Sequence, residues 1–358
     1  MQYIEQVIER IKQVDYVAGL KASEHLDSLA KPIGGMGNLE AILIRIATIY
    51  GSVPREKLVS GIAIFAADNG VVAEGVAGSP QEVTAIQVQS FLAGKATINA
   101  FCQMTNTDIT VVDIGMNNPS SMGAVNKKIA CGTNNIALGP AMTKEQCLEA
   151  VKTGIEIALD MAAKGRKILI CGEMGIGNTT TSSCLAAALL GGSVDQYIGY
   201  GAGLTSAAFE NKVKVVRQAL KVNTVSLSDI WNTLAALGGF DIAAMVGFFI
   251  GSAASKSLAI IDGFIASVAA LIAIRIAPAV KHYLVASHSS AEPGAILVME
   301  ELGFKPSLSL DMRLGEGTGA ILLLPLIEAA QLAYWNVASL KDSGIDPLSL
   351  VDIREQHE

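Results

Sequence analysis

The stretch Lys167-Ile-Leu-Ile-Cys171, followed by Gly172-Glu-Met-Gly-Ile-Gly-Asn-Thr-Thr180, decides the fold class. A short β-branched run gives way to glycines and then to an apolar helical segment. Strand, glycine loop and helix N-terminus together make an anion cradle, because free backbone N–H groups and the positive helix end face one point. Two familiar versions do not fit. A P-loop needs a lysine where Asn178 stands, and a dinucleotide fingerprint needs a third glycine where Thr180 stands. The loop therefore reads as a holder of a phosphate or other polar group, the alternative being a tight turn with Asn178 or Thr179 as helix N-cap. Glu173 narrows the choice. A carboxylate beside an anion site is unfavourable unless it faces a donor, such as a sugar hydroxyl or a cationic ring.

Outward from this loop, further runs read as strands: Ile62–Ala66, Ile109–Ile114, Leu258–Ile261, Tyr283–Ala286 and Leu308–Met312. Helical stretches lie between, at Val83–Phe101, Lys144–Ala163, Thr179–Leu190 and Ile265–Arg275. This alternation predicts an α/β fold with a mostly parallel sheet covered on both faces. Polar residues follow the strand ends: Asp68 and Asn69, Asp113, Glu173, Asp262, His288 with Ser289 and Ser290, and Glu316. In an open parallel sheet ligands bind beyond the carboxyl ends of the strands, so these residues are expected on one rim. Any one of them alone reads equally well as a helix cap. The two ends of the chain, residues 1–50 and 326–358, carry helical patterns without a clear strand. They are expected to pack together as a small helical domain beside a large domain of residues 51–325.

Composition limits the function. Of 358 residues, 51% are hydrophobic and 16% charged, with a net charge of -7, so a large core is available and no basic stripe offers itself to nucleic acid. Cys102, Cys131, Cys147, Cys171 and Cys184 are odd in number and form no CxxC pair, as expected of reduced cysteines in a cytoplasmic protein. Met1 to Val14 reads as an amphipathic helix rather than a signal peptide. The apolar region Ala235 to Val280 is interrupted by Asp241, Lys256, Asp262 and Arg275, which predicts buried helices rather than a membrane span. His25, His282, His288 and His357 show no metal-ligand spacing, so no metal is expected.

Two more features carry chemistry. Gly199-Tyr-Gly-Ala-Gly-Leu204 precedes Lys212, which suits a phosphate or carboxylate, or is a solvated charge. Gly315-Glu-Gly-Thr-Gly-Ala320 places Glu316 between glycines, where a substrate can approach closely. Glu316 is a candidate general base if burial raises its pKa, and an exposed turn residue otherwise.

These motifs resemble the nicotinate-nucleotide:dimethylbenzimidazole phosphoribosyltransferases. The resemblance rests on Lys31-Pro-Ile-Gly-Gly-Met-Gly-Asn-Leu-Glu40, Ala67-Asp-Asn-Gly-Val-Val-Ala-Glu-Gly-Val76, Gln81-Glu-Val-Thr-Ala-Ile-Gln87 and Gly172–Thr180. Gly238-Gly-Phe-Asp-Ile-Ala-Ala244, Asp262-Gly-Phe264, Ser289-Ser-Ala-Glu-Pro-Gly294 and Gly315–Ala320 complete it in order along nearly the whole chain. It implies a Rossmann-like domain with a small helical domain, in a homodimer or in a heterodimer with a paralogous subunit. It implies transfer of 5-phosphoribose from nicotinate mononucleotide to an aromatic lower-ligand base of a cobamide, with no cofactor and with Glu316 as catalytic base. Ser79 and Gln87 match positions of the base pocket. Glu173, Gly175, Gly177, Asn178, Lys212 and Ser290 match positions around the nucleotide. Thr179, Gly201, Gly203 and Asp241, in the same motifs, join them as substrate-binding candidates. Asp68-Asn69-Gly70 departs from the family's usual Asp-His-Gly, Val76-Ala-Gly-Ser-Pro80 lacks bulkier residues, and Gly35-Met36 stands for Ser-Leu. The alternatives are the same reaction on a phenol or purine, or a non-catalytic partner subunit.

Overall fold

The computed structural model describes residues 1–119, 122–201, 203–225, 229–346 and 350–354. Ala202 and His357 fall outside them. The chain opens with helices α1 (Gln2–Ile8), α2 (Tyr16–Asp27) and α3 (Asn38–Tyr50), then strand β1 (Ser60–Ala67). Helices α4 (Val83–Leu92) and α5 (Thr97–Thr105) lead to β2 (Asp108–Gly115) and the short β3 (Val125–Asn126). Then come α6 (Lys144–Ala163), β4 (Ile168–Met174), α7 (Asn178–Leu190), α8 (Ser206–Val222), α9 (Ile230–Leu237) and α10 (Phe240–Ala254). The last part runs β5 (Leu258–Ile261), α11 (Phe264–Ile276), β6 (Leu284–Ala286), β7 (His288–Ser289), α12 (Pro293–Leu302), β8 (Leu308–Ser309), α13 (Thr318–Asn336) and α14 (Leu340–Ser343).

The main sheet has the order β3-β2-β1-β4-β5-β6, and every pairing in it is parallel. This is the doubly wound arrangement of a Rossmann-type fold, with its switch point between β1 and β4. Every residue of β1 and β4 is buried. Successive side chains point to opposite faces, so both faces are covered, as the continuous apolar runs predict.

Three expectations are revised. Leu308–Met312 is not a strand of the main sheet. Only Leu308–Ser309 is extended, and it pairs with His288–Ser289 in a separate two-stranded ribbon. The sixth place in the sheet goes to β3. Val83–Phe101 is two helices, because Gly94 (φ +71°) turns the chain between them. The N-terminal helix stops at Ile8 rather than reaching Val14, with Ile4 and Val7 buried.

The apolar region 235–280 lies inside the molecule. In α10 all residues but the last are buried. Its tight contact with α6 depends on glycine: a Cβ at Gly154 would overlap Ala244 O, and one at Gly247 would overlap Val151 O. Among the described residues one helix, α13, is long and apolar enough to cross a membrane, but 56% of its most apolar stretch is buried in the core. The chain ends meet through the bridges Leu29–Ser339 and Ile33–Asp352 and a 2.8 Å hydrogen bond between His25 Nε2 and Tyr334 O.

Candidate active site

At the carboxyl ends of β4 and β5 lies a cavity of about 330 Å³, which opens beside the β1/β4 switch point. Its wall includes Ser79, Gln87, Glu173, Gly175, Asn178, Thr179, Gly201, Ser290 and Glu316. A second hollow of about 70 Å³ adjoins it, sharing Ser79, Gly175, Asn178, Thr179 and Gly201 and adding Gly177 and Lys212. Two of the expected residues line neither. Asp241 is wholly buried behind the glycine loop, where Asn178 Nδ2 donates to it at 3.1 Å. Gly203 sits outside, its carbonyl so close to Gly78 that a Cβ there would overlap it. Of the rim residues, Glu173, Asp262, His288, Ser290 and Glu316 reach the cavity. Asp68, Asn69 and Asp113 are buried and serve loops instead: Asn117 N donates to Asp68 at 2.7 Å, and Met116 N to Asp113 at 2.9 Å.

The glycine loop positions the site by its backbone. Gly177 takes the N-cap place of α7 at φ +95°, with no side-chain cap. Neither Asn178 nor Thr179 caps the helix. The Asn178 amide instead bridges Glu173 and Asp241, which leaves the helix N-terminus open toward the small hollow.

The turn bearing Glu316 is shaped by its neighbours. Gly315, Glu316 and Gly317 have φ of +78°, +62° and +83°. A non-glycine residue held in the left-handed region costs of order 1–3 kcal/mol, so the surroundings must hold it there. Asp262 does so from the end of β5. Its carboxylate accepts from Gly317 N at 3.2 Å and Ala320 N at 2.9 Å, capping α13 from across the fold. Gly172 completes the seat, since a Cβ there would overlap the Glu316 backbone.

The resulting electrostatics are unusual. Glu316 Oε1 accepts from Gln87 Nε2 at 2.6 Å, while Oε2 is buried without a partner. Burial pushes the Glu316 carboxyl up to about 7; the Gln87 bond opposes this and the charge of Asp262 adds to it. Glu173 is pushed up to about 8, first by burial and then by Asp241, against the Asn178 bond. Asp241 itself rises to about 6, mainly by burial, and Asp262 rises for the same reason. Lys212 has no exposed surface. Its Nζ donates to Thr179 Oγ1 and Gly199 O, both at 3.0 Å, and burial lowers its pKa to about 8.

Beyond the expected site residues, the wall also holds the polar side chains of Asp262, His288, Glu292 and Arg313. Asp262 and His288 stand on the predicted rim. Glu292 precedes Pro293 at the start of α12, and nothing local in the sequence shows that its carboxylate accepts from Gly201 N. Among the described residues no three His, Cys, Asp or Glu side chains group as a metal site.

A Rossmann-type sheet whose α7 N-terminus borders the small hollow, with a buried carboxylate raised toward neutrality in the joined cavity, suits a group-transfer enzyme for an anionic substrate. A family model described as "Phosphoribosyltransferase" matches residues 11–345. The chain is 41% identical over 346 residues to the nicotinate-nucleotide–dimethylbenzimidazole phosphoribosyltransferase of Halalkalibacterium halodurans, covering 96% of this chain and 97% of that one. It is 44% identical over 322 residues to the protein of that name from Acetivibrio thermocellus, covering 90% and 92%. The crystal structure of CobT from Thermus thermophilus superposes with a TM-score of 0.87 at 36% identity, over 92% of this chain and 99% of that one. The chain belongs to the nicotinate-nucleotide–dimethylbenzimidazole phosphoribosyltransferase family.

Proposed function

We propose that this chain transfers 5-phosphoribose from nicotinate mononucleotide to an aromatic nitrogen base of the dimethylbenzimidazole type, for cobamide nucleotide-loop assembly, with Glu316 as general base. One observation carries the reading. A buried carboxylate with an unpartnered oxygen and a pKa near neutrality shares a cavity with the N-terminus of α7, the kind of helix end that suits an anion. A base of this pKa is matched to proton abstraction at physiological pH.

The small hollow lined by Gly175, Gly177, Thr179, Gly201 and Lys212 takes the 5′-phosphate. Val83, Ile176, Phe264 and Ile265 give the larger cavity apolar walls for aromatic rings, with Ser79 and Gln87 beside them. Glu173 faces the ribose or the cationic pyridinium ring. A ring nitrogen of the acceptor attacks C1′ of the ribose while Glu316 takes the N–H proton from the acceptor's other nitrogen. The C1′–N bond to the pyridinium breaks, and its electron pair goes to the ring nitrogen, releasing nicotinate. Attack from the face opposite the leaving group turns the β-nucleotide into an α-riboside phosphate. The pyridinium is a good leaving group, so positioning and base activation supply most of the rate. Nicotinate mononucleotide is consumed as substrate and no separate cofactor enters.

The reading carries further proposals. Residues 1–50 with the described residues from 326 onward form a small helical domain on the large one, supported by the bridges between the two ends. The five cysteines are all free, which supports a reducing, cytoplasmic setting. The working state is a dimer, with an identical or a paralogous subunit, to be checked by light scattering.

The test incubates the purified chain with nicotinate mononucleotide and, separately, dimethylbenzimidazole, adenine, phenol and p-cresol. Riboside and free nicotinate are followed by chromatography, and the anomer is assigned by NMR. α-Riboside phosphate formed fastest with dimethylbenzimidazole is expected. Faster turnover with a phenol or purine would reassign the acceptor, and no turnover with any base, alone or with a paralogous subunit, would remove the reading.

A further inference from the structure

Two buried charges hold the turn that closes the small hollow, and only one of them enters it. Lys212 lines the hollow and donates to Thr179 Oγ1 and to Gly199 O. An ammonium has three N–H groups, so one is left for a ligand. Glu292 comes to the same turn from the start of α12. Its Oε1 accepts from Gly201 N at 2.9 Å, and its Oε2 is buried without a hydrogen-bond partner. A Cβ at Gly199 would overlap that carboxylate, so the backbone passes directly against it. The Glu292 backbone N in turn donates to Ser290 Oγ at 3.3 Å, which ties a second wall residue to it.

Glu292 and Lys212 therefore grip neighbouring peptide units of one turn with opposite charges. The groups whose charges act on Lys212 are Glu292 and the Cys184 thiol on α7, and Glu292 is the stronger. A buried lysine without a counter-charge gives up its proton. It then has one donor fewer and no charge to offer a phosphate.

We propose that Glu292 is a positioning residue of the phosphate subsite: it fixes the Gly199–Gly201 turn through the Gly201 amide and keeps Lys212 charged for the substrate's phosphate. This rests on the phosphoribosyl reading above, because it takes the small hollow as the place of the 5′-phosphate. Glu292 does its work from outside the hollow. Its repulsion of an incoming phosphate is offset only while Lys212 is protonated, which couples the two residues in function.

The test compares affinity for nicotinate mononucleotide with affinity for its dephosphorylated riboside. Calorimetry on the full chain covers about pH 6.5 to about pH 9.5, bracketing the depressed lysine against its reference value of about 10.4. Wild type should prefer the mononucleotide, and lose that preference as pH rises through about 8. Glu292→Gln keeps an acceptor for Gly201 N but drops the charge. It should cut the preference about tenfold at pH 8 and move its midpoint down by about one unit, with the riboside losing far less affinity than the mononucleotide. Gly199→Ala, which displaces the carboxylate, should weaken mononucleotide binding in the same selective way and add little in the double variant. Equal losses for mononucleotide and riboside in Glu292→Gln, or an unmoved midpoint, would overturn the proposal while leaving the phosphoribosyl reading intact. A wild type that binds both ligands alike would remove the phosphate subsite and the proposal together.

Discussion

Glu316 shows how a single residue acquires its chemistry from its surroundings. Its glycine neighbours are visible in the sequence, but its proton affinity is raised by burial and Asp262 against the Gln87 bond, and neither partner is close in the chain. Two predictions belong at this scale. First, kcat/KM should fall on the acid side as Glu316 protonates near pH 7, and on the alkaline side as Lys212 loses its proton near pH 8. The acid limb should vanish in Glu316→Gln and the alkaline limb move in Lys212 variants; a profile flat from about pH 6 to about pH 9 would contradict both assignments. Second, Glu173 and Glu316 have folded pKa values raised above the usual 4.5. Their contribution to stability is complete below about pH 4.5 and is lost as pH rises through about 7 to 8. The Tm of the unliganded protein should therefore fall over that window, and Glu173→Gln or Glu316→Gln should flatten the fall. An equally steep fall in both variants would show that other groups govern it.

At the scale of elements, the glycine loop after β4 was legible because its meaning is local: strand, turn and helix start lie within about a dozen residues, which is also the range of the helix-terminus effect. The ribbon of Leu308–Ser309 with His288–Ser289 was not legible. The apolar pattern of Leu308–Met312 suits a strand, but only its first two residues find a partner, and that partner follows β6 rather than belonging to the sheet. The cap on α13 was equally hidden, because Asp262 reaches it across more than fifty residues. Asp241 shows the same limit in reverse. It lies in a matching motif, yet the fold places it behind the loop, holding Asn178. The tight seat of Glu316 on Gly172 gives the prediction for this scale. Gly172→Ala should leave far-ultraviolet circular dichroism native while lowering turnover at least about tenfold, because a shift of about 1 Å at a catalytic group costs up to about 10²-fold. Full activity in Gly172→Ala would mean that the Glu316 turn is not held where the mechanism needs it.

For the whole molecule, the alternation of apolar runs and helices makes a mostly parallel, doubly covered sheet legible, whereas the strand order and its switch point emerge only from the pairing of β1 with both β2 and β4. The site draws on α4, the β4–α7 loop, the turn before α8, the start of α12 and the turn before α13, so ligand binding should tie distant segments together. Nicotinate mononucleotide at about 100 times its Kd should therefore stabilise the fold by about 2.7 kcal/mol, read as a rise in Tm. An unchanged Tm at saturating ligand would place the binding site elsewhere. The central claim is that Glu316 is the base that accepts the proton of the incoming aromatic ring. It is tested most directly by the initial rate of riboside phosphate formation in Glu316→Gln against wild type near pH 7. A fall of at least about 10²-fold, with nicotinate mononucleotide affinity retained and Tm no lower than wild type, is the predicted result; a rate close to wild type would contradict the account.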